Sequence, residues 1–149
     1  MELSPAGLDL IETSEGFRAQ VYTDVAGFPT IGYGHRLQPG ESFPNGVTEL
    51  EAQAILTADV SDAQQAVSRL VKVALTQGQF DALVDFTFNL GAGRLASSTL
   101  LRDLNLSQYD AAAQQLLSWD HAGGVVVTGL RARREAEYNL WMGETSCSG

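Results

Sequence analysis

The chain has 149 residues, 44% of them hydrophobic, and a formal net charge of −9 at pH 7. This length is enough for one well-buried core, or for two small lobes that share a long element. The acidic balance disfavours binding to nucleic acid through phosphate neutralisation and disfavours broad attraction to an anionic membrane. A single cysteine, Cys147, excludes an intrachain disulfide and a metal site built from several thiolates.

The N-terminus carries no pattern of export or of membrane insertion. No apolar run in the chain approaches the roughly 20 residues of a membrane span. The opening residues, MELSPAGL, lack the basic start and the apolar core of a signal peptide. We therefore expect a chain that begins in the cytoplasm, or one whose export segment lies outside this sequence.

The first third of the chain predicts a helix followed by a small antiparallel hairpin. A Ser-Pro pair is typical of a helix start and Gly16 of a helix end, which places a helix over about residues 4–14. Residues 21–23 predict a strand, 26–27 a turn, and 28–34 a return strand with glycine at alternate positions. Because glycine weakens a strand, these glycines indicate a bend, a bulge or the close approach of another group.

The middle of the chain predicts two helices with a break between them. Thr48 and Glu51 form a capping-box pattern, so a helix starts there. The run DVSD at residues 59–62 predicts a break or a recapped helix start, and a connecting helix follows over about residues 61–73. The residues expected to face inward on these helices are Leu50, Ala54, Ile55, Ala63, Ala66, Val67 and Leu70.

The rest of the chain predicts a helical lobe. A second capping box at residues 76–79 starts a helix that is apolar on nearly every side, which is typical of a central helix, and Gly91 ends it. The other predicted elements are a short helix from residue 97, a helix over about 107–119, a glycine-rich loop over 120–128 and an amphipathic helix over 129–141.

Two carboxylates, Glu15 and Asp24, flank the change from helix to hairpin. Glycoside hydrolysis needs one carboxyl group that stays protonated and one that stays ionised. The negative end of the helix dipole and the neighbouring Phe17 suit a protonated Glu15, whereas polar groups of the hairpin suit an ionised Asp24. Taken alone this pair is weak evidence, because the chain has 18 acids and surface carboxylates are common near turns.

Thr30 and His35 each have more than one interpretation. A Thr in a strand is ordinarily there for β propensity, although its hydroxyl also suits a role in holding a water molecule. His35 suits a ligand, a base or a salt-bridged structural residue, and we favour the structural role. Since His121 is the other histidine and no cysteine lies nearby, we expect no metal site.

Four segments with recognisable patterns follow one another along the chain. Residues 15–35 read EGFRAQVYTDVAGFPTIGYGH, an acidic residue followed by a strand, a glycine turn and a T-x-G-x-G-H pattern. Residues 75–91 read LTQGQFDALVDFTFNLG, residues 97–105 read SSTLLRDLN, and residues 119–137 carry W, GG and G-L-x-x-R-R-x-x-E. In this order the segments resemble the phage-type lysozymes, the endolysins of glycoside hydrolase family 24.

The resemblance implies an α+β, lysozyme-like fold that is mostly helical, with a small N-terminal antiparallel β-hairpin lobe and a larger helical lobe. It implies one domain over residues 1–149. Its parts would be an N-terminal lobe over about 14–60, the connecting helix over about 61–73, and a helical lobe over about 74–143 together with the first helix. The substrate groove would lie between the lobes.

The implied activity is hydrolysis of the β-1,4 bond between N-acetylmuramic acid and N-acetylglucosamine in peptidoglycan, for bacterial cell lysis. We expect peptidoglycan glycan strands as the partner, no nucleic acid, no membrane span, no cofactor and a monomeric chain. The protein would be made in the host bacterial cytoplasm and would act on the wall in the periplasm after release, with the export route left open.

Position by position, the resemblance assigns roles to six residues. Glu15 matches the general acid, Asp24 the second catalytic carboxylate, and Thr30 the residue that helps place the attacking water. His35 matches a supporting histidine after the hairpin. In the family a C-terminal arginine lies close to the catalytic Glu, and here the candidates are Arg133 and Arg134.

Two alternatives to this activity are open. A lytic transglycosylase needs one acid and no water-activating carboxylate, so Asp24 and Thr30 disfavour it. A non-catalytic wall-binding relative is disfavoured because residues match all three catalytic positions. Since Thr30 implies a held water, we expect inversion of the anomeric configuration rather than retention. The acidic charge departs from the often basic family, which affects capture of an anionic wall but not the bond chemistry.

Overall fold

The computed structural model describes residues 1–24, 26–122 and 124–143. The elements in chain order are α1 Pro5–Glu15, β1 Arg18–Thr23, β2 Pro29–Gly32, β3 His35–Arg36, α2 Glu49–Leu70, α3 Gln77–Leu90, α4 Ala92–Ala96, α5 Thr99–Asn105, α6 Tyr109–Leu117, β4 His121–Ala122, β5 Val125–Val126 and α7 Thr128–Trp141. The predicted α+β class, mostly helical with a small antiparallel sheet, is confirmed.

The chain divides into two compact units. The sheet unit is Ile11–Asp62, and the helical unit is Met1–Leu10 together with the residues from Ala63 onward. The two boundaries fall inside α1 and inside α2, so each of these helices contributes to both units.

The sheet unit contains three antiparallel strands in the order β1-β2-β3. Tyr22 pairs with Thr30, and Thr30 pairs with Arg36 on the other side. The predicted two-strand hairpin is therefore incomplete, since residues 28–34 do not form one strand. Gly32 and Gly34 have φ of 66° and 71° and turn the chain into β3, a strand of two residues that is too short to produce an alternating pattern.

Helix α2 is one continuous helix of 22 residues, so the predicted break at residues 59–62 and the separate connecting helix over 61–73 are wrong. Asp59 does not cap a new helix because its carboxylate bonds His35 instead. Leu50, Ala54 and Ile55 do not form the buried face, and Leu50 is 77% exposed. The buried stripe of α2 is Ala52, Leu56, Val60, Ala63, Ala66 and Val67.

Helix α3 is the core of the helical unit. Thr76 and Gln79 form the predicted capping box, and residues 80–87 are all buried. Gly91 follows the last turn with φ 98°, as predicted. Helix α3 packs against α7 and α4, while α6 packs against α5 and α7. A Cβ on Gly78 would meet the carbonyl group of Leu140, so this glycine lets α3 and α7 come close together.

The C-terminal part departs from the predictions in three places. Helix α4 was not expected, α6 ends at Leu117 rather than near residue 119, and the predicted loop over 120–128 contains the paired strands β4 and β5. The side chains of Val125, Val126 and Val127 are exposed. Cys147 lies outside the described residues. Among the described helices, none is long and apolar enough to cross a membrane.

Candidate active site

Four of the six predicted site residues lie in the sheet unit. Glu15 is the last residue of α1, Asp24 follows β1, Thr30 lies in β2 and His35 begins β3. The sheet unit therefore contains acid, hydroxyl and imidazole groups that are spread over 21 residues of sequence.

Glu15 lies against the backbone of Gly34. Gly16 ends α1 with φ 71°, and its N–H donates to the carbonyl of Glu12. A Cβ added to Gly34 would lie 2.9 Å from Cδ of Glu15 and would collide with Oε1. The glycine in the T-x-G-x-G-H pattern therefore makes room for the carboxylate of Glu15, and Gly34 has a left-handed φ that a larger residue would adopt only with strain.

Tyr33 anchors this glycine turn to α2. Its hydroxyl donates to Oε2 of Glu49 at 2.8 Å, and its ring centroid lies 5.7 Å from that of Phe17. The hydrogen bond to the Glu49 carboxylate, with burial, raises the pKa of Tyr33 to about 12. Tyr33 thus remains a neutral hydrogen-bond donor at neutral and mildly alkaline pH.

Asp24 organises the turn between β1 and β2. Its Oδ1 accepts from the N–H groups of Ala26 and Phe28, both at 2.9 Å, and Arg36 Nε donates to Oδ2 at 3.1 Å. The hydrogen bond from the Phe28 backbone, with those of Ala26 and Arg36, lowers the pKa of Asp24 although burial opposes this. Asp24 is therefore held as an ionised carboxylate with a defined orientation.

Thr30 is buried, with 2% of its surface exposed. Its hydroxyl donates to the carbonyl oxygen of Phe28 at 2.9 Å. The hydroxyl hydrogen is therefore engaged, and Thr30 Oγ1 keeps its lone pairs for a donor such as water.

His35 is held between two carboxylates. Its Nδ1 lies 2.8 Å from Oδ2 of Asp59 on α2, and its Nε2 lies 2.9 Å from Oε1 of Glu41. Burial opposes a charged imidazole, but the hydrogen bonds to Glu41 and Asp59 outweigh it and raise the pKa of His35. Since both ring nitrogens are occupied, the geometry fits a residue that ties the 37–41 loop to α2. The structural role of His35 stays a prediction.

Arg133 and Arg134 lie in a buried cluster of the helical unit. Arg133 donates to both carboxylate oxygens of Asp85, at 2.9 and 2.7 Å. Arg134 donates to Oδ1 of Asn89 at 2.8 Å and to Oε2 of Glu137 at 2.9 Å. Burial and the adjacent Asp85 raise the pKa of Glu137 well above its ordinary value. That one of the two arginines lies close to Glu15 stays a prediction.

Sequence reasoning missed the partners of these residues. Arg36, Glu41 and Asp59 were not singled out, although each bonds Asp24 or His35. The available signal for Arg36 was its place directly after the T-x-G-x-G-H pattern, and Asp59 was assigned to a helix break instead. Within the described parts of the chain, no group of three His, Cys, Asp or Glu side chains could hold a metal ion.

Proteins of known sequence match most of this chain. Residues 12–137 match the family described as phage lysozyme. The endolysin of Bacillus phage B103 is 42% identical over 145 residues, which cover 95% of this chain and 54% of that protein. The endolysin of Salmonella phage P22 is 40% identical over 126 residues, which cover 83% of this chain and 86% of that protein. The chain thus spans about half the length of the B103 relative.

Solved structures give the same result for the fold. The endolysin from Escherichia coli O157:H7 phage FAHEc1 matches with a TM-score of 0.87 and 34% identity, over 97% of this chain and 96% of that one. The muramidase domain of SpmX from Asticaccaulis excentricus matches with a TM-score of 0.86 and 36% identity, over 95% and 97%. The chain belongs to the phage lysozyme family. The family and the lysozyme-like fold that the four motifs predicted are therefore confirmed.

Proposed function

We propose that the chain is a lysozyme that hydrolyses the β-1,4 bond between N-acetylmuramic acid and N-acetylglucosamine in peptidoglycan. The observation that carries this proposal is that the sheet unit holds both candidate carboxylates in defined positions. Asp24 accepts two backbone N–H groups and an arginine, and Glu15 ends α1 with its carboxylate against Gly34. Acid–base hydrolysis of a glycoside needs two positioned carboxyl groups, one as acid and one as base or nucleophile.

In the proposed reaction, Glu15 gives its proton to the glycosidic oxygen as the bond from that oxygen to the anomeric carbon breaks. Water forms the new bond to the anomeric carbon, and Asp24 accepts the proton that the water loses. The enzyme returns to its starting state when Asp24 releases its proton to solvent and Glu15 takes one up from solvent.

Thr30 would fix the direction of attack. Because its hydroxyl hydrogen is donated to Phe28, Thr30 can only accept a hydrogen bond from the water. A water that donates one hydrogen to Asp24 and the other to Thr30 points a lone pair away from both residues, toward the sugar. This arrangement favours direct displacement and therefore inversion of configuration.

We propose supporting roles for the other three predicted residues. His35 would stiffen the loop beside the hairpin through Glu41 and Asp59. Arg133 and Arg134 would contribute through the buried cluster that they form with Asp85 and Glu137.

We propose that the chain acts as a monomer on peptidoglycan strands, reaching the wall from inside the host cell. Endolysins are the relatives that support a role in lysis from within. The SAR-endolysin of Bacteriophage PS119, 37% identical over 142 residues, supports a periplasmic site of action. The route by which this chain is released stays open.

The test compares Glu15→Gln and Asp24→Asn with the matched control Glu12→Gln, one turn earlier on α1. The readouts are turbidity loss of purified cell walls and release of reducing ends. Both site variants should lose about 10²–10⁴-fold in rate, because each removes an acid or base function. Glu15→Gln should melt at the same temperature as the wild type or higher, since active-site carboxylates often cost stability.

The rates of the two variants test the roles of the carboxylates. Undiminished clearing by Glu15→Gln would contradict its assignment as the acid. A loss below about tenfold for Asp24→Asn, or about 1.4 kcal/mol, would reduce Asp24 to a supporting role. The products and the binding of wall material decide between the open alternatives. Release of 1,6-anhydromuramyl products would establish a lytic transglycosylase. Wall binding without turbidity loss would establish a non-catalytic relative. A retained anomer would overturn the water geometry assigned to Thr30.

A further inference from the structure

Arg36 lies beside both proposed water-handling residues. In the sheet, Tyr22 pairs with Thr30 and Thr30 pairs with Arg36, so the three side chains form one row across the strands. Asp24 comes two residues after Tyr22, which returns it to the same side of the chain. The register therefore brings the Arg36 guanidinium to Asp24, and Nε donates to Oδ2 at 3.1 Å.

The two carboxylate oxygens of Asp24 have different hydrogen-bond partners. Oδ1 accepts the N–H groups of Ala26 and Phe28 and thereby closes the turn. Oδ2 takes no part in the turn, and its protein partner is Arg36. Among the described residues, Arg36 on β3 is the charged side chain that acts on this carboxylate, alongside the two backbone donors. The hydrogen bonds of the turn therefore fix the position of Asp24, and the hydrogen bond from Arg36 fixes the direction of Oδ2.

Phe28 holds the guanidinium on its other side. The Cζ atom of Arg36 lies 4.2 Å from the centre of the Phe28 ring, a cation–π distance. Phe28 also donates its N–H to Asp24 and accepts the Thr30 hydroxyl on its carbonyl. One residue thus connects the arginine, the carboxylate and the threonine, which limits the freedom of an arginine side chain that is 54% exposed.

We propose that Arg36 is a positioning residue of the hydrolysis, acting through Oδ2 of Asp24, with the Phe28 ring holding the guanidinium in place. The inference rests on the proposed function of Asp24 as the water-activating carboxylate. The lowered pKa of Asp24, caused first by the Phe28 N–H and in part by Arg36, supports it. The consequence is that Asp24 stays ionised further into acid, at the cost of some basicity toward water.

The test uses Arg36→Met, Arg36→Lys and the control Arg18→Met, measured from pH 4 to pH 7 as kcat and KM for reducing-end release. Arg18 is a matched control because it is another sheet arginine over an aromatic ring, that of Tyr22 at 4.5 Å. In Arg36→Met the ratio of kcat at pH 4 to kcat at pH 7 should fall about threefold relative to the wild type, with KM within about twofold. Arg36→Lys should restore part of the ratio, and Arg18→Met should leave it unchanged.

A carboxyl NMR titration of Asp24 accompanies the kinetics, because it reports the ion pair without activity. The Asp24 titration should move to higher pH in Arg36→Met and stay in place in Arg18→Met. An unchanged pH profile and titration in Arg36→Met would overturn the proposal while the lysozyme function stands. Equal effects of Arg36→Met and Arg18→Met would also overturn it, since the cause would be overall charge. If the wild-type chain releases no reducing ends, the proposed function is overturned, and the role of Arg36 in the reaction is overturned with it.

Discussion

The sheet unit and the helical unit hold their carboxylates in opposite ways. In the helical unit, Asp85 is fully buried and forms two bonds with Arg133, and the equally buried Glu137 pairs with Arg134. In the sheet unit, Asp24 is partly exposed, and its partners are two backbone N–H groups and a half-exposed arginine.

This difference agrees with a structural role for the buried pairs and with the chemical role proposed for Asp24. A buried carboxylate that loses its partner leaves an uncompensated charge, whereas a partly exposed one recovers much of its solvation from water. The partly exposed Asp24 therefore suits the change of protonation that its proposed role requires. In the buried cluster, burial acts to raise the pKa of Asp85, but the hydrogen bonds from Glu137 and Arg133 outweigh it and hold that pKa below its ordinary value.

The largest effect is expected from breaking the buried pair with Asp85→Asn. The change deprives Arg133 of its carboxylate partner in a dry environment, so the free energy of unfolding should fall by about 3–5 kcal/mol. Urea denaturation measures this loss. Asp9→Asn makes the same chemical change at an exposed position of α1 and should stay within about 0.5 kcal/mol. Similar losses in both variants would contradict the contrast between the units.

An intermediate effect is expected from His35→Gln, and it should depend on pH. The raised pKa of His35 means that its contribution is fully present below the ordinary value of 6.5 and is lost as the pH rises through the folded value. Below 6.5 the variant should be less stable by about 2 kcal/mol, the scale of hydrogen bonds to charged groups. The measurement is thermal or urea unfolding of both chains from pH 5 to pH 9.

The control for this experiment is His121→Gln. His121 also lies beside an aspartate, Asp120 at 2.6 Å, but its side chain is half exposed. Its replacement should change the free energy of unfolding by less than about 0.5 kcal/mol. A pH-independent difference between wild type and His35→Gln would show that packing, and not the charge on the imidazole, provides the stability.

The smallest change in the free energy of unfolding is expected from Gly34→Ala. The main effect of this variant should be a loss of catalytic rate. The added Cβ collides with the carboxylate of Glu15, so wall clearing should fall about tenfold or more, or about 1.4 kcal/mol. Gly40→Ala is the control, because Gly40 also has a left-handed φ of 88° but has nothing within 4 Å of the added Cβ. Both variants should lose about 1 kcal/mol of stability from backbone strain. Equal activities would exclude the collision as a cause.

Predictions from sequence succeeded where one short segment carries the information. The capping box at Thr76, the glycine stops at Gly16 and Gly91 and the buried face of α3 all depend on residues within one or two turns. The failure at residues 59–62 has the same origin, since Ser and Asp are typical of helix starts. The helix continues through this stretch because Val60 and Ala63 are buried and Asp59 bonds His35 rather than a free backbone N–H group.

The candidate site shows the same division. The positions of Glu15, Asp24, Thr30 and His35 on their elements were predictable from the motif, because its spacing fixes which residue ends the helix and which follow the turn. The side chains that orient them were not, since Arg36 reaches Asp24 across 12 residues and Asp59 reaches His35 across 24. Such contacts depend on strand register and on the face that α2 presents.

Local order in the chain was therefore sufficient for the family, for the helix ends at Gly16 and Gly91, and for the elements on which the proposed site residues lie. Tertiary structure alone decided that β3 exists, that α2 runs unbroken, and that Arg36 and Phe28 meet at Asp24. The physical reason is that capping and turn formation are satisfied within a few residues, whereas an ion pair between strands exists only after the sheet has brought its two ends together.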